Sequence, residues 1–344
     1  MAYENLNERE KKVLSCLISY YVASADPVGS RAIANKFRLG ISPATIRNTM
    51  QDLEEMGLVQ QPHTSAGRIP TDAGYRIFVD TLLRQEQLSE ADKHAIDSTI
   101  LAMAGGVEAI LDQTSRVLAD LSRQLGVTIS PKLDDSILFH IELIHMAEGK
   151  VLVVLAFKSG LARTILLEVD ASIGWVELSE ISRLLNEKLA GLSLGQIRRS
   201  ITERLHDSGG DPKLLRLFLD SESDVWMGAD ADQLHIEGTR NIIEQPEFAD
   251  RQKLWELMKI LEKRTDLAGI LRNYQETGSG IIITIGAENQ AREIQSCSVV
   301  SASYKAGNTT GTIGIIGPTR MPYAKLMSLV KYAARQLSKV LSGE

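Results

Sequence analysis

The run from Gly40 to Arg76, GISPATIRNTMQDLEEMGLVQQPHTSAGRIPTDAGYR, leaves this chain few choices of local structure. Ser42 followed by Pro43 marks a helix start, because a serine hydroxyl accepts an otherwise orphaned backbone N–H and proline fills the first helical position without losing a bond. Gly57 supplies a stop. Between them Ile46, Met50 and Leu53 recur at i, i+4 and i+7, which gathers them on one face and leaves Ala44, Arg47, Asn48 and Gln51 on or near the other. A row of small, hydrogen-bonding and cationic side chains on a helix anchored by its opposite face suits a groove.

The flanking sequence supplies the rest of a unit. Asn7 is placed to cap a helix, with Glu10 closing a capping box. The stripe Val13, Leu14, Leu17, Ile18 and Tyr21 predicts that this helix runs to about Val22, before Asp26 and Pro27 end it. A short helix over Ser30 to Phe37 turns Ile33 and Phe37 inward, and Arg38, Leu39 and Gly40 make a tight turn into the Ser42 helix. Two helices joined in this way form a helix-turn-helix. Leu58 to Gln61 and Gly67 to Ile69 then read as two strands around the turn His63 to Ala66. A last helix opens at Thr71 or Asp72 and ends near Leu83. The predicted unit is a winged helix-turn-helix domain over residues 1–84. Such clusters also occur as protein–protein modules, and charge on an exposed helix is often only a solvated face. The wing favours DNA, because His63, Thr64, Ser65 and Arg68 share a turn whose backbone N–H groups are free for phosphate.

A chain of 344 residues predicts two or three domains. From Gln85 to Leu125 the apolar residues Ile96, Ile100, Met103, Val107, Ile110, Leu111, Val117, Leu118 and Leu121 recur at helical spacing, with Gly105 and Gly106 dividing two helices. Ile137 to Met146, Lys150 to Phe157 and Ala162 to Val169 then predict a three-stranded meander, its turns at Glu148-Gly149 and Ser159-Gly160. Helical spacing returns from Trp175 to Asn273, with polar breaks at His206 to Asp211 and Gly228 to Asp232 and a short strand at Leu234 to Ile236. Gly280 to Ile285, Ser296 to Tyr304 and Thr310 to Ile316 are strands again, and a helix from about Pro322 to Leu341 follows. Three strands, a mostly helical block, three strands and a helix predict one α+β sheet domain (85–170 and 275–344) interrupted by an inserted domain (171–274). Three consecutive domains are the alternative.

Composition matters chiefly for the partner. A formal charge of −6 repels phosphate at long range. Locally the balance reverses: between Gly29 and Met50 stand Arg31, Lys36, Arg38 and Arg47 with no acid, a charge of +4. So small a footprint predicts DNA binding that leans on dimerisation and fitted contacts. The opening MAYENLNERE is acidic and lacks the apolar run of a secretory signal, and the longest apolar run, Val151 to Phe157, is too short to span a bilayer, so a cytoplasmic protein without a membrane partner is expected. Cys16 and Cys297 have neither disulfide-framework nor metal-ligand spacing.

Candidate chemistry is sparse. His140 and His145 fall on opposite faces of one strand and cannot share a metal. His206, Asp207 and Asp211 read as a solvated loop. Gly311, Gly314 and Gly317 in GTIGIIGPTR match neither phosphate-binding glycine spacing, and strand-end turns use such glycines freely. No nucleophilic triad or carboxylate pair stands out, so no enzyme, no cofactor and no metal are expected.

The runs LNEREKKVL, SPATIRNTMQDLEEMG and HTSAGRIPTDAGYRIFVD closely resemble the HrcA family of heat-inducible transcription repressors, most strongly over Leu6 to Leu83. That resemblance implies a winged-helix domain, a GAF-like sheet domain and an inserted dimerising domain. It also implies a homodimer that represses chaperone operons in the heat-shock response from an inverted-repeat operator, the CIRCE element, with the chaperonin GroEL as the partner that keeps it active. Helix geometry, not the resemblance, assigns the site. Arg47, Asn48 and Gln51 are expected at base edges, the amides suited to adenine and Arg47 to guanine. Ser42, Thr45, Arg31, Lys36, Arg38, His63, Thr64 and Arg68 are expected at phosphates. A regulator gated by a small molecule in the sheet domain is the alternative function.

Overall fold

The computed structural model describes residues 6–64, 66–83, 86–101, 106–131, 133–146, 149–168, 174–206, 234–276 and 280–342. Ser65, Met103, Gly105, Glu148, Val169 and the polar breaks after His206 and at 228–232 lie outside them. The fold is mixed α+β and begins with a winged helix.

In that head, α1 (Glu8–Ser24) opens on the predicted capping box: Asn7 Oδ1 accepts from the Arg9 and Glu10 amides at 3.0 Å, and the Glu10 carboxylate accepts from the Asn7 amide at 2.9 Å. The helix ends at Ala25, in the left-handed region at φ 60°, just before Asp26 and Pro27. Next come α2 (Ser30–Phe37), α3 (Pro43–Glu55), the wing strands β1 (Val59–Gln60) and β2 (Ile69–Pro70), and α4 (Asp72–Ile77), which runs into a π-turn over Phe78–Leu82. Leu14, Leu17, Ile18, Ile33, Ile46, Leu53 and Leu58 are fully buried at the head's centre. Val28 adds a wing bridge that the sequence did not suggest, exchanging backbone hydrogen bonds with Arg68 at 2.8 and 2.9 Å.

The remaining chain carries α5 (Glu90–Leu101), α6 (Val107–Ser122), β3 (Leu125–Ile129), β4 (Leu138–Met146), β5 (Lys150–Phe157), β6 (Ala162–Glu168), α7 (Trp175–Leu189) and α8 (Leu194–His206). After these lie β7 (Leu234–Glu237), α9 (Thr239–Ile243), α10 (Arg251–Glu262), α11 (Arg264–Glu276), β8 (Ile281–Ile285), β9 (Cys297–Ala306), β10 (Thr309–Pro318) and α12 (Tyr323–Ser342), numbered over described residues. The main sheet is antiparallel, in the order β7-β3-β10-β9-β8. Side chains alternate across it, so Val300, Ala302 and Tyr304 join a core with α5, α6 and α12, while Cys297 and Val299 join one with α10 and α11. Burial pushes the Cys297 thiol up to about 12, which makes it an inert core residue.

The sheet partition expected above is corrected here. The meander β4-β5-β6 does not join the returning strands; it forms a separate sheet whose core is shared with α7 and α8. The returning strands β8 to β10 pair instead with β3 and β7. The meander thus lies in the chain between β3 and β7 of the main sheet, and the helices α10 and α11, expected inside the insertion, pack on the main sheet. Alternation announces a strand but not its partner, and both strand groups alternate alike. Gly311, Gly314 and Gly317 lie within β10 or at its end, where added Cβ atoms would meet Tyr304, the Val300 carbonyl and Gln124 at 2.3 to 2.9 Å, so packing accounts for them.

Candidate nucleic-acid interface

Helix α3 starts where its sequence dictates. Ser42 Oγ accepts from the Thr45 amide at 3.1 Å and lies 3.0 Å from Thr45 Oγ1, and Pro43 occupies the first turn. Ile46, Thr49, Met50 and Leu53 are buried; Thr49 keeps its hydroxyl satisfied on the Thr45 carbonyl at 3.1 Å. Anchoring that face presents Ala44, Arg47, Asn48 and Gln51 to solvent in one row. Arg47 and Asn48 have no partner among the described residues. Gln51 is held by a hydrogen bond to Glu55 at 3.2 Å, which orients its amide along the helix.

Around this row the cations divide into free and engaged. Arg31 and Arg38 are exposed, with no ion pair among the described residues. Arg38 caps α2 from the left-handed region at φ 46°. Lys36 sits 4.6 Å over the Tyr20 ring, a contact that steadies its ammonium without neutralising it. At the wing His63 and Thr64 are exposed, and the Gln61 side chain ties the tip by donating to the Thr64 and Ala66 carbonyls at 2.9 and 3.0 Å.

Arg68 stands apart from the other expected contacts. Its guanidinium folds back to Glu54 on α3 at 2.7 Å, and its side chain is 20% exposed. That pair ties the wing to α3, and its two charges cancel. The row, the α2 cations and the wing tip thus belong to one head with a local excess of positive charge. No described group of histidines, cysteines and carboxylates has the makings of a metal site. Among the described residues no helix is long and apolar enough to cross a membrane.

Sequence reasoning missed the residues that hold this head in place. Arg76 of α4 spans to the main sheet, its Nε donating to Glu288 at 2.8 Å and its Nη2 to the same carboxylate and to the Ile283 carbonyl at 2.6 Å. Asp72 accepts from the Ala287 amide at 2.9 Å. A charged side chain on a short helix carries no signal of a partner so distant in sequence.

Comparison with known proteins agrees with the geometry. A family described as "Winged helix-turn-helix transcription repressor, HrcA DNA-binding" matches residues 5–83, and "HrcA protein C terminal domain" matches residues 108–327. The heat-inducible transcription repressor HrcA of Geobacter sulfurreducens is 38% identical over 343 residues, covering 99% of each chain. That of Chlorobium phaeobacteroides is 37% identical, covering 99% of this chain and 100% of its own. A crystal structure of a hypothetical protein superposes with a TM-score of 0.66 at 24% identity, covering 98% of this chain and 99% of that one, a likeness of fold alone.

Proposed function

The chain belongs to the HrcA family of heat-inducible transcription repressors, and we propose that it silences chaperone operons as a homodimer seated on the inverted-repeat CIRCE operator. Members of the family are DNA-binding regulators and not enzymes. The observation that carries the proposal is the exposed row Arg47, Asn48 and Gln51 on a helix whose other face is locked in a core. Two such helices, one from each protomer, enter successive major grooves and exclude the polymerase from the promoter. Arg47 reads guanine, and Asn48 and Gln51 read adenine. Arg31, Lys36, Arg38, Ser42, Thr45, His63 and Thr64 hold phosphates, with Arg68 acting through the wing it anchors. The main sheet is the GAF-like part, the insertion beginning at β4 pairs the protomers, and the protein works in the cytoplasm.

Footprinting on DNA upstream of a chaperone operon tests this reading. Protection of both arms of an inverted repeat is expected, weakening steeply with salt. Absence of protection even at low salt would sink it. Within that assay, Arg47→Ala should lose about 1–3 kcal/mol of discrimination between operator and random DNA. Equal losses on both would move Arg47 to the phosphates.

For the heat response, warming loosens the sheet body and its insertion and so parts the two heads, and the chaperonin GroEL refolds what warming released. A dimer whose operator affinity stayed intact and reversible across the heat-shock range without chaperonin would refute this account.

A further inference from the structure

We propose that Arg76 and Asp72 are positioning residues that lock the reading head onto the sheet body and so set which spacing of operator half-sites the repressor accepts; this rests on the dimeric, inverted-repeat reading above. Among the described residues, contacts at three separate places join head to body. At the first, Arg76 grips Glu288 through two nitrogens, reaches the Ile283 carbonyl at 2.6 Å and is steadied on its own helix by Asp80 at 3.0 Å. A planar fork held in this way fixes orientation as well as distance, which a lysine would not. Beside it, Asp72 accepts from the Ala287 amide at 2.9 Å. The body's loop is shaped around that carboxylate: Gly286 sits at φ +54°, and a Cβ there would come within 1.9 Å of Asp72 Oδ2. At the second point Tyr75 of the head packs on Tyr323, ring centroids 5.8 Å apart and both side chains buried. At the third, Arg320 donates to the Val22 carbonyl at the end of α1 at 2.9 Å, itself held by Glu247 and Gln245.

Contacts at α1, at Tyr75 and at the Asp72–Arg76 face together remove the head's freedom to swivel. In a dimer the bodies then dictate the distance and angle between the two recognition helices. A rigid pair gains the second half-site as an intramolecular event only when the spacing matches, whereas loosely held heads reach several spacings at a lower effective concentration. Arg76 lies outside the exposed α3 row, so its effect on DNA is through geometry.

The test compares binding of the full-length protein to two inverted repeats, one with the footprinted spacer and one with about half a helical turn, about 5 bp, inserted between its arms. Wild type should lose about 100-fold on the altered spacer. Arg76→Gln, Glu288→Gln and Asp72→Asn should each weaken binding to the matched operator and shrink that ratio to about tenfold. The Arg76/Glu288 double variant should lose clearly less than the sum of the two single effects, because both remove the same contact. Thermal melting identifies any variant that fails to fold, and Arg76→Lys, which keeps charge and bulk but not the fork, provides the second probe with an intermediate ratio expected. A folded set of variants that kept the wild-type ratio would overturn the proposal. So would variants that bound the matched operator more tightly with unchanged spacer preference, which would make the seam a brake. Failure of wild type to bind either repeat would instead overturn the operator reading on which this one stands.

Discussion

Leu53→Ala should abolish operator binding while leaving the main sheet folded. Leu53 is fully buried, one of four α3 residues that hold the reading face outward. Truncating it opens a cavity where α1 and α3 meet, and losses of about 2–5 kcal/mol follow such changes when the surroundings cannot collapse. A winged-helix head is small, and single domains hold only about 5–15 kcal/mol in all. The loss therefore shifts a sizeable fraction of heads to an unfolded or misoriented state at any moment, and it grows with temperature. Hydrogen exchange followed by mass spectrometry checks the location. Amides over 8–77 should lose protection, while those of β9 and β10 should keep most of theirs, because local openings are confined to cooperative units. Uniform loss over both regions would mean that head and body unfold as one unit, which the shared core between the head, α12 and the sheet makes a real contest. Leu53→Met, close in volume, should restore binding.

The parts of this molecule that were legible in its sequence are those whose signals are local. Asn7 with Glu10, Ser42 with Pro43, and Thr71 before Asp72 announce helix starts within four residues, and each caps the helix it predicts. The exposed row of α3 follows from the same arithmetic. What escaped was non-local. The helical spacing stops at Leu125 and the stretch from there to Pro131 carries no strand signal, because five residues after a helix offer too short a period to tell strand from helix, yet Leu125–Ile129 is a strand beside β7 and β10. The meander was given the wrong partners for a related reason, since hydrophobic alternation fixes which face is buried and says nothing about which strand lies alongside. Arg68 shows the same limit at the level of one side chain: its position in the wing suggested phosphate and gave no sign of the ion pair it makes with Glu54 on α3. Arg76 and Asp72 carried no sequence signal, and they bond to Glu288 and Ala287, more than two hundred residues away in the chain.

Gly126→Val should turn the repressor into a temperature-sensitive one without touching a DNA-facing residue. Gly126 lies in β3, paired with Ile315 of β10 on one side and Glu237 of β7 on the other. Its open face lets α6 approach so closely that an added Cβ would stand 2.0 Å from the Ser115 carbonyl oxygen and 2.8 Å from the Ala119 amide. Backbone on both sides has no rotamer by which to yield, so α6 must lift from the sheet. The displacement also stretches the Thr128 hydroxyl from the Leu111 carbonyl, now 2.9 Å apart and buried. Overpacking of this kind costs about 3 kcal/mol, with the buried hydrogen bond adding about 1 kcal/mol. The affected core is the one that α6 shares with α12 and the head. Repression at low temperature should survive, because the reading face of α3 is untouched. On warming, operator occupancy should fall several degrees before wild type, in step with the body's melting transition. Operator titrations across temperature, run beside calorimetry, check the link. If the body melted early while operator affinity persisted, the sheet would not control the heads, and heat sensing would have to reside in the winged helix itself.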